Sequence, residues 1–192
     1  MNRMANNAAG SQQHGLIESA IAGESWAFTE LYRLYAHRVK AFAASRRAED
    51  PEGLANDVML KVFQNLSSFT GDESRFESWL FTIARNRIID VHRAAQRRPE
   101  RANQPWDEDR DQRETVASAE EQVLESFGFD DTIARLNRLT DDQRDVIALR
   151  MIADLSLEQV AAIVDKPITA VKALQRRGLG RLQREILDEE VS

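Results

Sequence analysis

Apolar residues recur along this chain at three- and four-residue spacing, the period of a helix with one buried face. Leu16 to Ala22 is a short apolar segment, and Gly23 behind it predicts a brief helix stopped by glycine. Ser25 is placed to cap a longer helix on which Phe28, Leu31, Tyr32, Tyr35, Val39 and Phe42 form one core-facing stripe. Asp50 and Pro51 mark the next start. The helix from about Pro51 to Leu66 buries Leu54, Val58, Val62 and Leu66 and shows Asn56, Asp57, Lys61, Gln64 and Asn65 on its other face. On pattern alone that second face is solvated surface. The run SSFTGDES then reads as a loop.

From Arg75 to Pro99, RFESWLFTIARNRIIDVHRAAQRRP, the two faces are least alike. Leu80, Ala84, Ile88, Val91 and Ala95 fall on one side of a helix, and Asn86, Asp90, Arg93 and Arg97 on the other. Six arginines (Arg75, Arg85, Arg87, Arg93, Arg97, Arg98) stand against Glu77 and Asp90, within a chain of net charge -6. A basic helix that also carries Phe76, Trp79 and Phe81 can attract phosphate and offer rings to bases. The competing reading of those rings is core.

The last third carries two capping-box spacings, Thr140 to Gln143 and Ser156 to Gln159, each of which starts a helix. The first opens DQRDVIALRMI, packing Val146, Ile147, Leu149 and Ile152. The second opens the short LEQVAAIV, which stops at Asp165, Lys166 and Pro167. A longer helix follows, with Val171, Leu174, Gly178 and Leu182 on one side. Short helix, tight turn and basic helix make a helix-turn-helix, whose second helix enters the major groove. Its first turns put Thr169, Lys172, Ala173, Gln175 and Arg176 at base edges, while Arg181 and Arg184, late on the helix, suit phosphate. Gly178 is expected to pack closely and Gly180 to fray.

Composition refines the pattern. The 192 residues suffice for one domain or two small ones, and 42% apolar with 30% charged residues predicts a globular chain. The absence of cysteine removes disulfides and thiolate chemistry and suits a reducing compartment. MNRMANNAAGSQQHG has no apolar core behind Arg3 and reads as a disordered tail (1–13), not a signal peptide, and no run approaches the length of a membrane span. The expected location is the cytoplasm. Charge is segregated: six basic residues and no acid between Lys166 and Arg184, ten acids against Arg110 and Arg113 between Asp107 and Asp131. Residues 99–128 read as an acidic linker with a helical turn around Ala119 to Phe127, between a domain over 14–98 and another over 129–188.

The order of segments, EDPEGLANDVMLKVFQNLSSF, FESWLFTIARNRIIDVHRAAQRRP, an acidic linker, and LNRLTDDQRDVIALRMIADLSLEQVAAIVDKPITAVKALQRRGLGRL, resembles the extracytoplasmic-function (group IV) sigma factors of bacterial RNA polymerase, of the sigma-70 family. The resemblance spans about residues 16–187. It implies an all-α protein of two small helical domains, a region 2 bundle and a region 4 helix-turn-helix, joined by a flexible linker. In that family the first domain binds the clamp helices of the largest polymerase subunit and melts the minus-10 element. The second sits on the flap of the other large subunit and reads the minus-35 element. By position, Asn56, Asp57, Leu60, Lys61 and Gln64 then resemble the core-polymerase contact, with Asn56-Asp57 each a methylene shorter than the common Gln-Glu. The loop Ser67–Ser74, with Phe69 and Asp72, resembles the pocket for a flipped promoter base. Trp79, Arg85, Asn86, Asp90 and Arg93 join it as minus-10 positions. Thr169, Lys172, Ala173, Gln175, Arg176, Arg177 and Arg181 are the minus-35 set, departing from the common Lys-Ser-x-Arg pattern at Ala173 and Leu174. The linker resembles the segment that threads towards the polymerase active centre and RNA exit path. Implied partners are core polymerase, promoter DNA and an anti-sigma factor, with no membrane, cofactor, metal or small-molecule substrate.

Two other readings compete. A helix-turn-helix regulator with an N-terminal sensing domain would bind duplex DNA alone, and the basic Arg75 helix is not what a sensor needs. An enzyme lacks support: there is no Walker A sequence, GxGxxG or HExxH, and His14, His37 and His92 are scattered.

Overall fold

The computed structural model describes residues 15–96 and 129–190, and every regular element among them is helical. In chain order these are α1 (15–21), α2 (Ser25–Ser45), α3 (Pro51–Asn65) with a 3-10 turn Leu66–Ser68, and α4 (Glu73–Gln96). After residues 97–128 come α5 (Phe129–Leu136), α6 (Asp141–Met151), α7 (Leu157–Val164) and α8 (Ile168–Glu190). The expected tail, the acidic linker with its helical turn, Arg97 and Arg98 lie outside the described residues. Among the described residues no helix is long and apolar enough to cross a membrane.

Gly23 closes α1 with φ +87, a conformation that costs a residue with a Cβ but not glycine. Helix α2 starts without the expected Ser25 cap. Ser25 is already helical, Glu24 holds the capping position, and the Glu24 carboxylate accepts from Trp26 Nε1 instead of from the helix backbone. Leu31, Tyr35, Val39 and Phe42 are buried as the stripe requires, and Phe28 packs edge-on against Phe63. Tyr32 departs from it. One residue off the 28–31–35–39–42 line is a rotation of about 100°, and Tyr32 is 41% exposed, its hydroxyl donating to Asn56 Oδ1 at 2.6 Å.

Asp50 caps α3 by accepting from Gly53 N at 2.8 Å, and Pro51 takes the first helical position, where its missing N–H costs nothing. The loop behind α3 is shorter than its composition suggests, because Leu66–Ser68 forms a turn of 3-10 helix and α4 begins at Glu73. Asp72 accepts from Arg75 N at 2.9 Å and so caps α4. On α4, Leu80, Ala84 and Ile88 are buried against α2 and α3. The stripe ends early: Val91 is half-buried and Ala95 is exposed. Phe76 and Phe81 are fully buried, edge-on to Tyr35 and Phe42, so these two rings belong to the core and offer nothing to bases.

In the second half both capping boxes form, Thr140 with Gln143 and Ser156 with Gln159. Helix α5, not expected from the sequence pattern, leads to Leu136 and Leu139, which pack on Ile147. Asp165 ends α7 in the left-handed conformation, φ 54, and makes the turn into α8. Gly178 packs closely, since a Cβ there would lie 3.1 Å from Ile147 Cγ1. Gly180 does not fray: α8 runs through it to Glu190, and the space at its Cβ position is open. One contiguous set of buried side chains, from Leu16 to Val171, runs through both halves, so the two helical domains share a packed seam.

With room for a methyl group and a helical backbone, Gly180→Ala should stabilise the protein by about 1 kcal/mol. Urea unfolding of the two proteins measures it, and a loss of stability would mean that α8 is not continuous there.

Candidate nucleic-acid interface

Three exposed surfaces carry the residues singled out above. On α3, Asn56, Asp57, Leu60, Lys61 and Gln64 all face outward. The face is held from both sides: Tyr32 of α2 donates to Asn56, and Arg87 Nη2 of α4 lies 2.8 Å from Asp57 Oδ2. Between them Leu60 is 56% exposed. A single exposed leucine is ordinary surface by itself, so what marks this face is the fixed orientation of Asn56 and Asp57. Tyr32 and Arg87 were not in the predicted set. The apolar spacing places Tyr32 in the core, and no spacing rule links Arg87 to Asp57 thirty residues away.

The second surface is the loop before α4 with the polar side of that helix. Phe69 and Trp79 are half-buried with ring centroids 5.2 Å apart, and both pack on Phe76. Trp79 is therefore neither free nor fully core; it is one wall of an aromatic cluster at the base of the loop. Gly71 takes φ +149 beneath Arg75, where a Cβ would meet Arg75 Cδ at 2.7 Å, so the loop path needs glycine. Asn86, Asp90 and Arg93 are exposed. Arg85 is not grouped with them: its Nε donates to Asp145 Oδ2 of α6 at 3.1 Å.

The third surface is α8. Thr169, Lys172 and Arg176, at helical spacing, are exposed in its first turns, as are Arg177 and Arg181. Ala173 and Gln175 are half-buried beside the Val171 stripe. Gln175 is thus partly turned from the face that Arg176 presents. Lys166 in the turn lies 3.1 Å from Asp142 Oδ2, which ties α8 back to α6.

Where the halves meet, Arg46 and Arg85 converge on Asp145, whose side chain is only 4% exposed. Arg46 Nε is 3.1 Å from Asp145 Oδ1, but off the angle of a hydrogen bond, and neither of these buried atoms has a hydrogen-bond partner. Burial pushes the Asp145 carboxyl up from its usual range, against the opposing pull of Arg46 and Arg85. A carboxylate raised in the folded state favours the folded state less as pH climbs through that raised value, so its charge at neutral pH is a net cost of burial only partly offset. Further contacts flank the site. Arg38 reaches the Ala153 carbonyl, Arg47 the Asn137 carbonyl, and Gln159 Nε2 donates to Ser74 O at 2.9 Å. A cavity of about 360 Å³ opens beside them, lined by Arg46, Arg47, His92, Arg93 and Arg144 with Asp141 the one acid. Arg144, nearly buried, has its ionisation lowered first by burial and then by Arg47.

Comparison with known proteins gives these surfaces a context. Residues 31–98 match the family Sigma-70 region 2, and residues 135–184 match Sigma-70, region 4. The ECF RNA polymerase sigma factor RpoE of Cereibacter sphaeroides is 33% identical over 83% of this chain and 86% of its own length. This chain belongs to the ECF RNA polymerase sigma factors. It is also 31% identical to the ECF sigma factor BldN of Streptomyces coelicolor, covering 91% of the chain and 66% of that protein's length. Among solved structures, the sigma factor RpoE in complex with the anti-sigma factor NepR from Bartonella quintana superposes with a TM-score of 0.60 at 27% identity, over 82% of this chain and 94% of that one. CnrH in complex with the cytosolic domain of CnrY gives 0.63 at 21% identity, over 92% and 97%, which speaks for the fold. Family membership decides between the sigma factor and the stand-alone helix-turn-helix regulator in favour of the former. The region 2 match takes in α2 from Leu31 onward, α3 and α4, and the region 4 match takes in α6, α7 and α8 as far as Arg184.

The Asp57–Arg87 pair is exposed on both sides, 54% and 42%, and exposed pairs contribute about 1 kcal/mol or less. Asp57→Ala should therefore leave the melting curve nearly unchanged. A large loss would mean that Asp57 holds α3 to α4 and is no clean probe of an external contact.

Proposed function

We propose that this ECF sigma factor, of the group IV type, brings core RNA polymerase to promoters through three surfaces used together. The α3 face of Asn56, Asp57, Leu60, Lys61 and Gln64 takes the clamp helices of the largest subunit. The loop with Phe69 and Asp72, and the α4 residues Trp79, Arg85, Asn86, Asp90 and Arg93, accept the minus-10 strand. Region 4 docks on the flap of the second large subunit while Thr169, Lys172, Ala173, Gln175, Arg176, Arg177 and Arg181 on α8 face the minus-35 duplex. The observation that carries this reading is the coexistence, in one family-matched chain, of a capped helix-turn-helix and a second basic helix with an aromatic cluster at its foot. A duplex reader alone has no use for the second.

The chemistry follows from the surfaces. Removing a base from the stack costs a few kcal/mol, and stacking on an aromatic ring returns about 1–3 kcal/mol per base. The Phe69–Trp79 cluster supplies such a surface beside the arginines of α4, which hold the strand's phosphates. No step needs a cofactor, a metal or ATP, and the factor reacts with no small molecule. It works in the cytoplasm, where polymerase and promoter are. The acidic linker extends towards the polymerase active centre and is displaced by growing RNA. An anti-sigma factor is its expected regulator, because the similar Bartonella quintana sigma factor pairs with one.

Charge reversal at Asp57 tests the polymerase face. Asp57→Lys should lower affinity for core polymerase by about ten-fold, about 1.4 kcal/mol, with an unchanged circular dichroism spectrum; unaltered affinity removes Asp57 from the contact. On a panel of minus-35 sequences, Arg176→Ala should cost about 1–3 kcal/mol at one base position if Arg176 reads a base edge. Equal weakening on every sequence would make it a phosphate contact instead.

A further inference from the structure

At the end of α2 the chain turns through Arg47, whose φ of 60 lies in the left-handed region. Arg47 N donates to Ala44 O and Ala48 N to Ala43 O, a closure at which helices most often place glycine. Here that position carries an arginine. Its Nη2 donates to the Asn137 carbonyl and its Nε to Asn137 Oδ1 at 3.2 Å. The same carbonyl accepts from Arg144 Nη2 at 3.2 Å, so two guanidinium groups share one neutral oxygen.

Backbone carbonyls satisfy such donors without cancelling their charge. Arg144 also gives Nε to Leu136 O at 3.0 Å and Nη2 to Leu139 O at 2.9 Å, and Arg46 gives Nη1 to Asp141 O at 3.3 Å. Asp141 is the one carboxylate lining the cavity beside them, and its side chain is 80% exposed. It is divided between Arg144 Nη1 at 3.0 Å and Arg46 Nη1 at 3.7 Å. Asp145, the other acid near Arg46, is held by Arg85 as well. Arg93 adds a fourth guanidinium from α4. The crowding registers on Arg144, whose ionisation is lowered first by burial and then by Arg47, with Asp141 opposing.

We infer that the cavity of about 360 Å³ lined from α2, α4 and α6 is a binding site for a small ligand bearing a diphosphate group, held by Arg46, Arg47, Arg93 and Arg144. Planar guanidinium forks take oxygens in pairs, and four of them outnumber the oxygens that a single phosphate can present. One lining carboxylate is too few to hold a divalent cation, so the diphosphate enters without metal. The Arg144 side chain is 5% exposed, so a ligand reaches it from inside the cavity, which a small anion does more readily than a polymer backbone. Ile89 and His92 line the same cavity and give a nucleoside a surface to rest on.

Isothermal titration of the full-length protein with sodium diphosphate, in magnesium-free buffer at fixed ionic strength, should show one ligand per chain. Monophosphate should bind about ten-fold more weakly, because it offers fewer oxygens to the same forks. Arg47→Gly suits φ 60 and should weaken diphosphate by about ten-fold. Asp141→Asn keeps an acceptor for Arg144 and removes the one lining carboxylate, so it should tighten binding. That variant carries the test if R47G loses its helical circular dichroism spectrum. Arg33→Gln, thirteen residues before Arg46 and about 20 Å back along α2, should change nothing. Adenosine diphosphate that binds tighter than inorganic diphosphate assigns the site to a nucleotide; equal or weaker binding assigns it to the inorganic anion, and either supports the site. No saturable binding of diphosphate at millimolar concentration, equal losses in R33Q and R47G, or unchanged affinity in D141N overturns the inference. A short single-stranded oligonucleotide that loses as much affinity in R47G as diphosphate does would make the cavity a strand contact and overturns it too.

Discussion

Asp145 is the constraint on which the arrangement of the two domains depends. A carboxylate this deeply buried must be matched by cations, and here they come from two different helices of the other domain, Arg46 at the end of α2 and Arg85 in the middle of α4. The match is incomplete, and burial outweighs the arginines in setting the carboxyl's ionisation. Such a cluster is a poor source of net stability and a good source of register, because any other placement of region 4 would strand the charge. The stability comes from the apolar packing that continues across the seam, from Leu80 and Ile88 on one side to Leu149, Leu155 and Val160 on the other.

The three proposed surfaces follow from ordinary helix physics once each helix has chosen its buried face. α3 buries Leu54, Val58 and Val62, so Asn56, Asp57 and Leu60 must face out. α4 buries Phe76, Leu80, Ala84 and Ile88, which turns Asn86, Asp90 and Arg93 away from the core. α8 buries Val171 and Gly178, leaving Thr169, Lys172 and Arg176 exposed in its first turns. The exposed faces proposed for recognition are therefore by-products of packing, fixed by the stripes opposite them.

Much of this was legible in the sequence because it is local. Capping boxes at Thr140 and Ser156, the proline start at Pro51 and the stripes all depend on neighbours three or four residues away. The misreadings also have local causes. Ser25 lies inside its helix because Glu24 occupies the cap position, and Tyr32 is rotated by one residue off the stripe that the apolar spacing suggests. Phe76 and Phe81 looked available to bases because an aromatic on a basic helix suits either a core or a ligand. The seam was not legible: Arg85 and Asp145 are 60 residues apart, and no periodicity joins them. One trace existed. Asp145 stands on the stripe of Ala148, Leu149 and Ile152, and an acid on an apolar stripe calls for a buried cation.

What a sigma factor of this family confers is promoter choice on a polymerase that lacks it. Purified core polymerase, with and without the protein, transcribing a library of genomic promoter fragments with start sites mapped, tests it most directly. Transcripts should appear only with the protein and start at a fixed distance downstream of shared minus-35 and minus-10 elements. Transcripts identical with and without it, or specific binding to duplex promoter DNA that never yields initiation, would mean that the chain does not act as a sigma factor.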